Sequence, residues 1–104
     1  METRTERIAL VTGANKGIGF EIARGLGRAG HTVLVGARDR GNGERAAETL
    51  QGEGFDARAI ELDLSDEATI VAAAAQIESE FGRLDVLVNN AGISVPGDGT
   101  PGDV

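Results

Sequence analysis

Residues 12–19 read T-G-A-N-K-G-I-G, at the end of the apolar run R-I-A-L-V-T (7–12) and at the start of a segment in which Ile18, Ile22, Leu26 and Ala29 recur at helical spacing. A short apolar run closed by a glycine suits a strand buried on both faces, and the recurrence after it suits a helix stopped at Gly30. A strand-to-helix turn must bend sharply, and it can let a phosphate approach main-chain N–H groups at the positive end of the helix. Gly13, Gly17 and Gly19 meet those needs in the order G-x-x-x-G-x-G: a tight departure, room for a ligand, and close packing of helix on strand. A nucleoside-triphosphate loop would need Gly-Lys followed by Ser or Thr, whereas Lys16 stands between Asn15 and Gly17.

The same alternation continues outward. Thr32 to Gly36 is apolar and β-branched, Glu44 to Leu50 reads as a helix ending near Gly52 or Gly54, and Ala57 to Leu62 reads as a half-polar third strand. Ser65 is the expected cap of a third helix over 66–81. Asp66 and Glu67 suit its positive end, and Ile70, Ala73, Ala74, Ile77 and Phe81 suit its inner face. Leu84 to Val88 is the fourth strand. Strand-helix units with short connections predict an α/β fold, a Rossmann-type open parallel sheet of about four strands in the order 3-2-1-4 with three helices. Residues 1–6 read as a disordered N-terminus, 7–92 as a partial domain of this kind, and 93–104 as a glycine- and proline-rich tail or interrupted loop.

The chain has 104 residues, no cysteine, and a formal net charge of -7. That balance argues against a nucleic-acid backbone or an anionic membrane as partner, and a cysteine-free chain without a signal-like apolar start points to the cytoplasm. No metal site is expected.

Taken together, T-G-A-N-K-G-I-G after strand one, L-D-L after strand three and L-D-V-L-V-N-N-A-G at strand four resemble the short-chain dehydrogenase/reductase family. The most similar branch is the NADPH-dependent carbonyl reductases, which share N-K-G-I-G and an A-R-D after strand two. The similarity spans roughly residues 7 to 93. The resemblance implies carbonyl or alcohol oxidoreduction with a dinucleotide cofactor, held by Gly13, Asn15, Lys16, Gly17, Ile18 and Gly19 in the turn. Arg38, Asp63, Leu64, Asn90, Ala91 and Gly92 would complete the site. In it Asp63 and the Leu64 amide hold the adenine, the alternative being that Asp63 ends strand three and precedes a helix. Asn90, Ala91 and Gly92 pass beside the ribose and nicotinamide, while Asn89 and Thr12 read as structural.

A carboxylate at the tip of strand two would accept from the ribose hydroxyl of NAD, and an arginine there would receive the 2′-phosphate of NADP. The sequence is G-A-R-D, so Arg38 and Lys16 favour NADP over NAD. The alternative makes both cations ordinary solvated charges, with Asp39 neutralising Arg38 or accepting from a ribose. His31, the single histidine, is expected at the surface, away from the cofactor.

Hydride transfer also needs a proton donor, and in the resembled family a Tyr-x-x-x-Lys pair supplies it with a Ser and an Asn. These residues contain no tyrosine and no lysine besides Lys16, and Ser94 follows N-N-A-G too closely to match the family's serine. No catalytic residue is therefore assigned. The expectation is an N-terminal portion that binds cofactor without catalysing, with a non-catalytic NADP-binding or redox-sensing module as the alternative and a fragment that binds nothing as a third reading. An uncovered apolar edge at strand four would favour self-association.

Overall fold

The computed structural model describes residues 7–90. Its elements run β1 (Ile8–Val11), α1 (Gly17–Arg28), β2 (Thr32–Ala37), α2 (Arg40–Gly52), β3 (Ala57–Glu61), α3 (Glu67–Glu80) and β4 (Val86–Val88). The four strands form one sheet in the order β3-β2-β1-β4, the order expected from the sequence. Every pairing is parallel: Ile8 faces Thr32, Val33 faces Ala57, and Ala9 faces Val86. This is the Rossmann-type sheet.

Because successive strand residues point to opposite faces, the sheet divides its apolar side chains between two cores. Val11, Val33, Val35 and Ala57 point to the side of α1 and α2, where Ala23, Ala46, Ala47 and Leu50 meet them. Ile8, Leu10, Leu34 and Ile60 point to the other side, where Ala73 and Ile77 of α3 cover them. Before β4, Asp85 ties the strand to β1 in both directions: its carboxylate accepts from Ile8 N (2.8 Å) and its N–H donates to Ile8 O (2.9 Å).

Several local expectations are corrected. Ile18 is 73% exposed, although Ile22 and Leu26 of the same repeat pack against the core. Gly19 and Ala23 are the buried residues of α1, with Phe20, Ile22 and Leu26 packed beside them. The cause is Gly19, whose lack of a side chain lets α1 sit against the turn and leaves its neighbour facing out. Helix α2 begins at Arg40, not Glu44, because Asp39 caps it by accepting from Asn42 N (2.9 Å). Helix α3 is capped by Asp66, which accepts from Ala68 N (3.1 Å), and not by Ser65. Ser65 instead gives its hydroxyl and amide to Asp63. β4 is shorter than expected and starts two residues later, at Val86.

Candidate functional site

The turn between β1 and α1 is built from main chain held on three sides. Thr12 N donates to Val88 O (3.0 Å) and Ala14 N to Gly36 O (3.0 Å), so the turn starts between the ends of β4 and β2. The Thr12 hydroxyl lies 3.4 Å from Val88 O and 3.2 Å from Asn89 Oδ1, the expected tie between the first and fourth strands. Gly13 and Gly17 take φ of 62° and 63°, a region that side-chain-bearing residues avoid. A Cβ on Gly19 would fall within 3.0 Å of both Gly13 O and Asn90 Nδ2.

Helix α1 then starts without a cap of its own. Its N-cap residue, Lys16, is extended and makes no side-chain cap hydrogen bond, and the first turn carries no acidic residue. Gly17, Ile18 and Gly19 thus present their amides at the positive end of a helix with no side chain to accept from them. The residues present suit an anionic group such as a dinucleotide pyrophosphate: glycines give it room, and the helix end supplies donors.

Around this turn stand the ends of the other strands. Arg38 is exposed immediately after β2. Asp39 accepts from Asn42 N through one carboxylate oxygen, Oδ1, and so caps α2. After β3, Asp63 Oδ1 accepts from Ser65 Oγ (2.6 Å) and Ser65 N (3.0 Å). These bonds hold the Asp63 carboxyl below its ordinary range, and the positive charge of Arg38 acts in the same direction. Asp63 is therefore ionised near neutral pH, and Leu64 beside it is 42% exposed. Asn90 uses its side chain as a brace, Nδ2 donating to Gly13 O at 3.1 Å. Ala91 and Gly92, and likewise Ser94, lie outside the described residues.

The described structure thus brings Gly13, Gly17, Gly19 and Asn90 into one contact network and sets Arg38 and Asp63 on neighbouring strand ends. His31 lies in the connection from α1 to β2, at the opposite end of the strands. It is half-buried, not simply exposed, because its Nδ1 lies 3.2 Å from Leu26 O. Among the described residues no group of three or more His, Cys, Asp or Glu side chains could hold a metal.

Two grooves flank the strands. One, of about 360 Å³, opens between the first turns of α1 and α2 and is walled by Asn15, Lys16, Phe20, Asn42 and Arg45. Asn42 and Arg45 stand three apart on one face of α2, a placement hidden by the late start expected for that helix. The other groove, of about 380 Å³, runs between α3 and the β1–β4 edge and is lined by Leu10, Leu62, Ile70, Ile77, Leu84 and Leu87, with Glu78 and Arg83 also contributing. It is the more apolar of the two, yet it lacks the phosphate-binding geometry of the turn.

Comparison with known proteins agrees with this geometry. A model of the short chain dehydrogenase family matches residues 7–101. Mouse carbonyl reductase [NADPH] 3 is 50% identical over 101 residues, covering 94% of this chain and 36% of the relative. Among solved structures, menthone neomenthol reductase from Mentha piperita superposes with a TM-score of 0.82 at 45% identity, over 88% of this chain and 33% of that one. A gluconate 5-dehydrogenase from Burkholderia cenocepacia, in complex with NADP and tartrate, gives 0.78 at 38% identity, over 88% and 36%. The chain spans about a third of the length of the relatives it matches. With the glycine turn, the uncapped helix and the 3-2-1-4 sheet in place, the match over nearly all of the sequence shows that the chain belongs to the short chain dehydrogenase family.

Proposed function

We propose that this chain is the cofactor-holding N-terminal portion of an oxidoreductase that interconverts carbonyl compounds and alcohols, and that it takes NADP(H) in preference to NAD. The observation that carries the reading is the uncapped start of α1 beside Lys16, facing a turn whose positive φ angles at Gly13 and Gly17 favour glycine. Gly13, Asn15, Lys16, Gly17, Ile18 and Gly19 would hold the phosphates, Arg38 the ribose phosphate, and Asp63 with Leu64 the adenine. Asn90, Ala91 and Gly92 would border the ribose and nicotinamide. Relatives named for NADPH and a structural neighbour solved with NADP support that choice. The cofactor supplies the hydride. The chain's own residues bind and orient it, and with no tyrosine among them we assign no proton donor here.

By themselves these residues should bind cofactor and catalyse nothing. Among the described residues no helix is long and apolar enough to cross a membrane, and we place the chain in the cytoplasm. Exposure of Leu87 and Leu84 at the β4 edge favours self-association of the isolated chain. A redox-sensing role without catalysis is the second reading, resting on the same turn and the same lack of tyrosine.

The test is calorimetric titration of the 104-residue chain with NADP and with NAD at low ionic strength. NADP binding well ahead of NAD supports the proposal. Equal affinity overturns the cofactor preference, and no binding by a chain that circular dichroism shows to be folded overturns cofactor binding by this portion. NADPH oxidation with any carbonyl compound, by a preparation of verified mass, would overturn the assignment of no catalysis.

A further inference from the structure

The start of α2 sets an asparagine between two glycines. The helix opens R-G-N-G (40–43), and each glycine weakens a helix relative to alanine. Packing requires the second of them: Gly43 is buried, and a Cβ on it would lie 3.2 Å from the Ala37 Cβ. Asn42 before it is exposed. That pair is open to an intramolecular reaction in which the main-chain nitrogen of the residue after an asparagine attacks the side-chain Cγ. A glycine hinders the attack least, and the other asparagines, Asn15, Asn89 and Asn90, precede Lys16, Asn90 and Ala91, which all carry side chains.

Two sets of contacts bear on the reaction in opposite senses. Arg45 Nη2 donates to Asn42 Oδ1, which polarises the carbonyl and stabilises the negative charge that this oxygen gains under attack. Against it, Gly43 N donates to Asp39 O (3.0 Å) and Asp39 Oδ1 accepts from Asn42 N (2.9 Å). The attacking nitrogen is therefore engaged while the first turn is closed. A helix end rich in glycine opens locally at less cost than the whole fold.

We propose that Asn42 is a modification site at which the chain deamidates itself, held in check by the Asp39 cap and released when the first turn of α2 opens. Gly43 N gives its proton to solvent and bonds to Asn42 Cγ, and the Cγ–Nδ2 bond breaks with release of ammonia. Water then opens the cyclic imide at one or the other carbonyl, leaving aspartate or isoaspartate. One water is consumed for each ammonia released, and nothing is oxidised or reduced. Either product makes a chain of net charge -7 more negative by one charge, on a wall of the groove that also holds Lys16. Aspartate suits the positive end of the helix, whereas isoaspartate reroutes the main chain through the side chain and disrupts the cap. The inference concerns the covalent stability of α2 and does not depend on which cofactor the chain binds.

The experiment is timed peptide mapping by mass spectrometry of the folded 104-residue chain, stored at neutral and mildly alkaline pH, beside Asp39→Ala, Arg45→Ala and Asn42→Gln. Conversion of amide to carboxylate should appear at residue 42 several-fold faster than at Asn15, Asn89 or Asn90, and faster as pH rises. Asp39→Ala should speed it several-fold. Arg45 is exposed and alanine is a good helix former, so Arg45→Ala should slow the conversion without lowering the melting midpoint; an unchanged rate removes the polarising role of Arg45. Asn42→Gln should lack the acidic product. Because Asp39→Ala also lowers global stability, the rate is read in urea well below the unfolding midpoint. A rate flat in urea supports opening of the first turn, and one that rises with the slope of global unfolding overturns the local gate. Equal rates at Asn42 and the other asparagines overturn the proposal, as does an unchanged rate in Asp39→Ala.

Discussion

The two faces of the sheet are unequally finished. On one, α1 and α2 close over β1, β2 and β3, and Val11, Val33, Val35 and Leu50 are sealed from solvent. On the other, among the described residues α3 alone covers Ile8, Leu10, Leu34 and Ile60, and Leu87 stays 60% exposed and Ile70 38% exposed. A parallel sheet ordinarily has both faces covered by helices. The finished face is the one that carries the glycine turn and the groove beside it.

The largest test of this asymmetry compares two leucines. Leu50→Ala empties a fully buried position on the closed face and should cost about 2–5 kcal/mol in urea unfolding. Leu87→Lys on the open face should change stability by less than about 0.5 kcal/mol and should reduce self-association in sedimentation. Equal costs would mean that the open face is packed as firmly as the closed one. Next in size, Gly19→Ala forces a Cβ against Gly13 O and Asn90. It should cost about 1–3 kcal/mol and abolish NADP binding; retained affinity would show that the turn tolerates displacement.

Smaller still, Asp39→Ala removes the α2 cap and should cost about 1 kcal/mol, read as a lowered melting midpoint. The smallest effect is with pH. The carboxyls of Asp63 and Asp85 lie below their ordinary value near 3.8, Asp63 through Ser65 and Asp85 through Arg83 and the Ile8 amide. A carboxyl lowered on folding contributes stability above its unfolded value and loses it as pH falls through the folded one. The urea midpoint should therefore decline on acidification below about pH 4. Asp85→Asn should flatten that decline, and an unchanged profile would remove Asp85 from the β1–β4 tie.

Much of this organisation was legible because it rests on periodicity. Strand order, the turn and the exposed fourth strand all follow from short apolar runs separated by glycines and helical repeats. The misreadings arose where a single local contact decides the outcome. Gly41 and Gly43 argue against helix, yet Asp39 starts α2 ahead of them, and Gly43 packs within reach of Ala37 and Ala59. Ser65 and Asp66 are both good caps, and the choice fell to Asp66 because Ser65 is committed to Asp63.

The brace from Asn90 to Gly13 links residues 77 positions apart. During synthesis the glycine turn emerges early but gains this support only after the fourth strand has been made and has docked against β1. Closing so long a loop is entropically costly and belongs to the late, topology-limited part of folding. Growing chains arrested before Asn90 should therefore display a loose turn, whereas chains extended past it should gain a turn resistant to proteolysis in a single step.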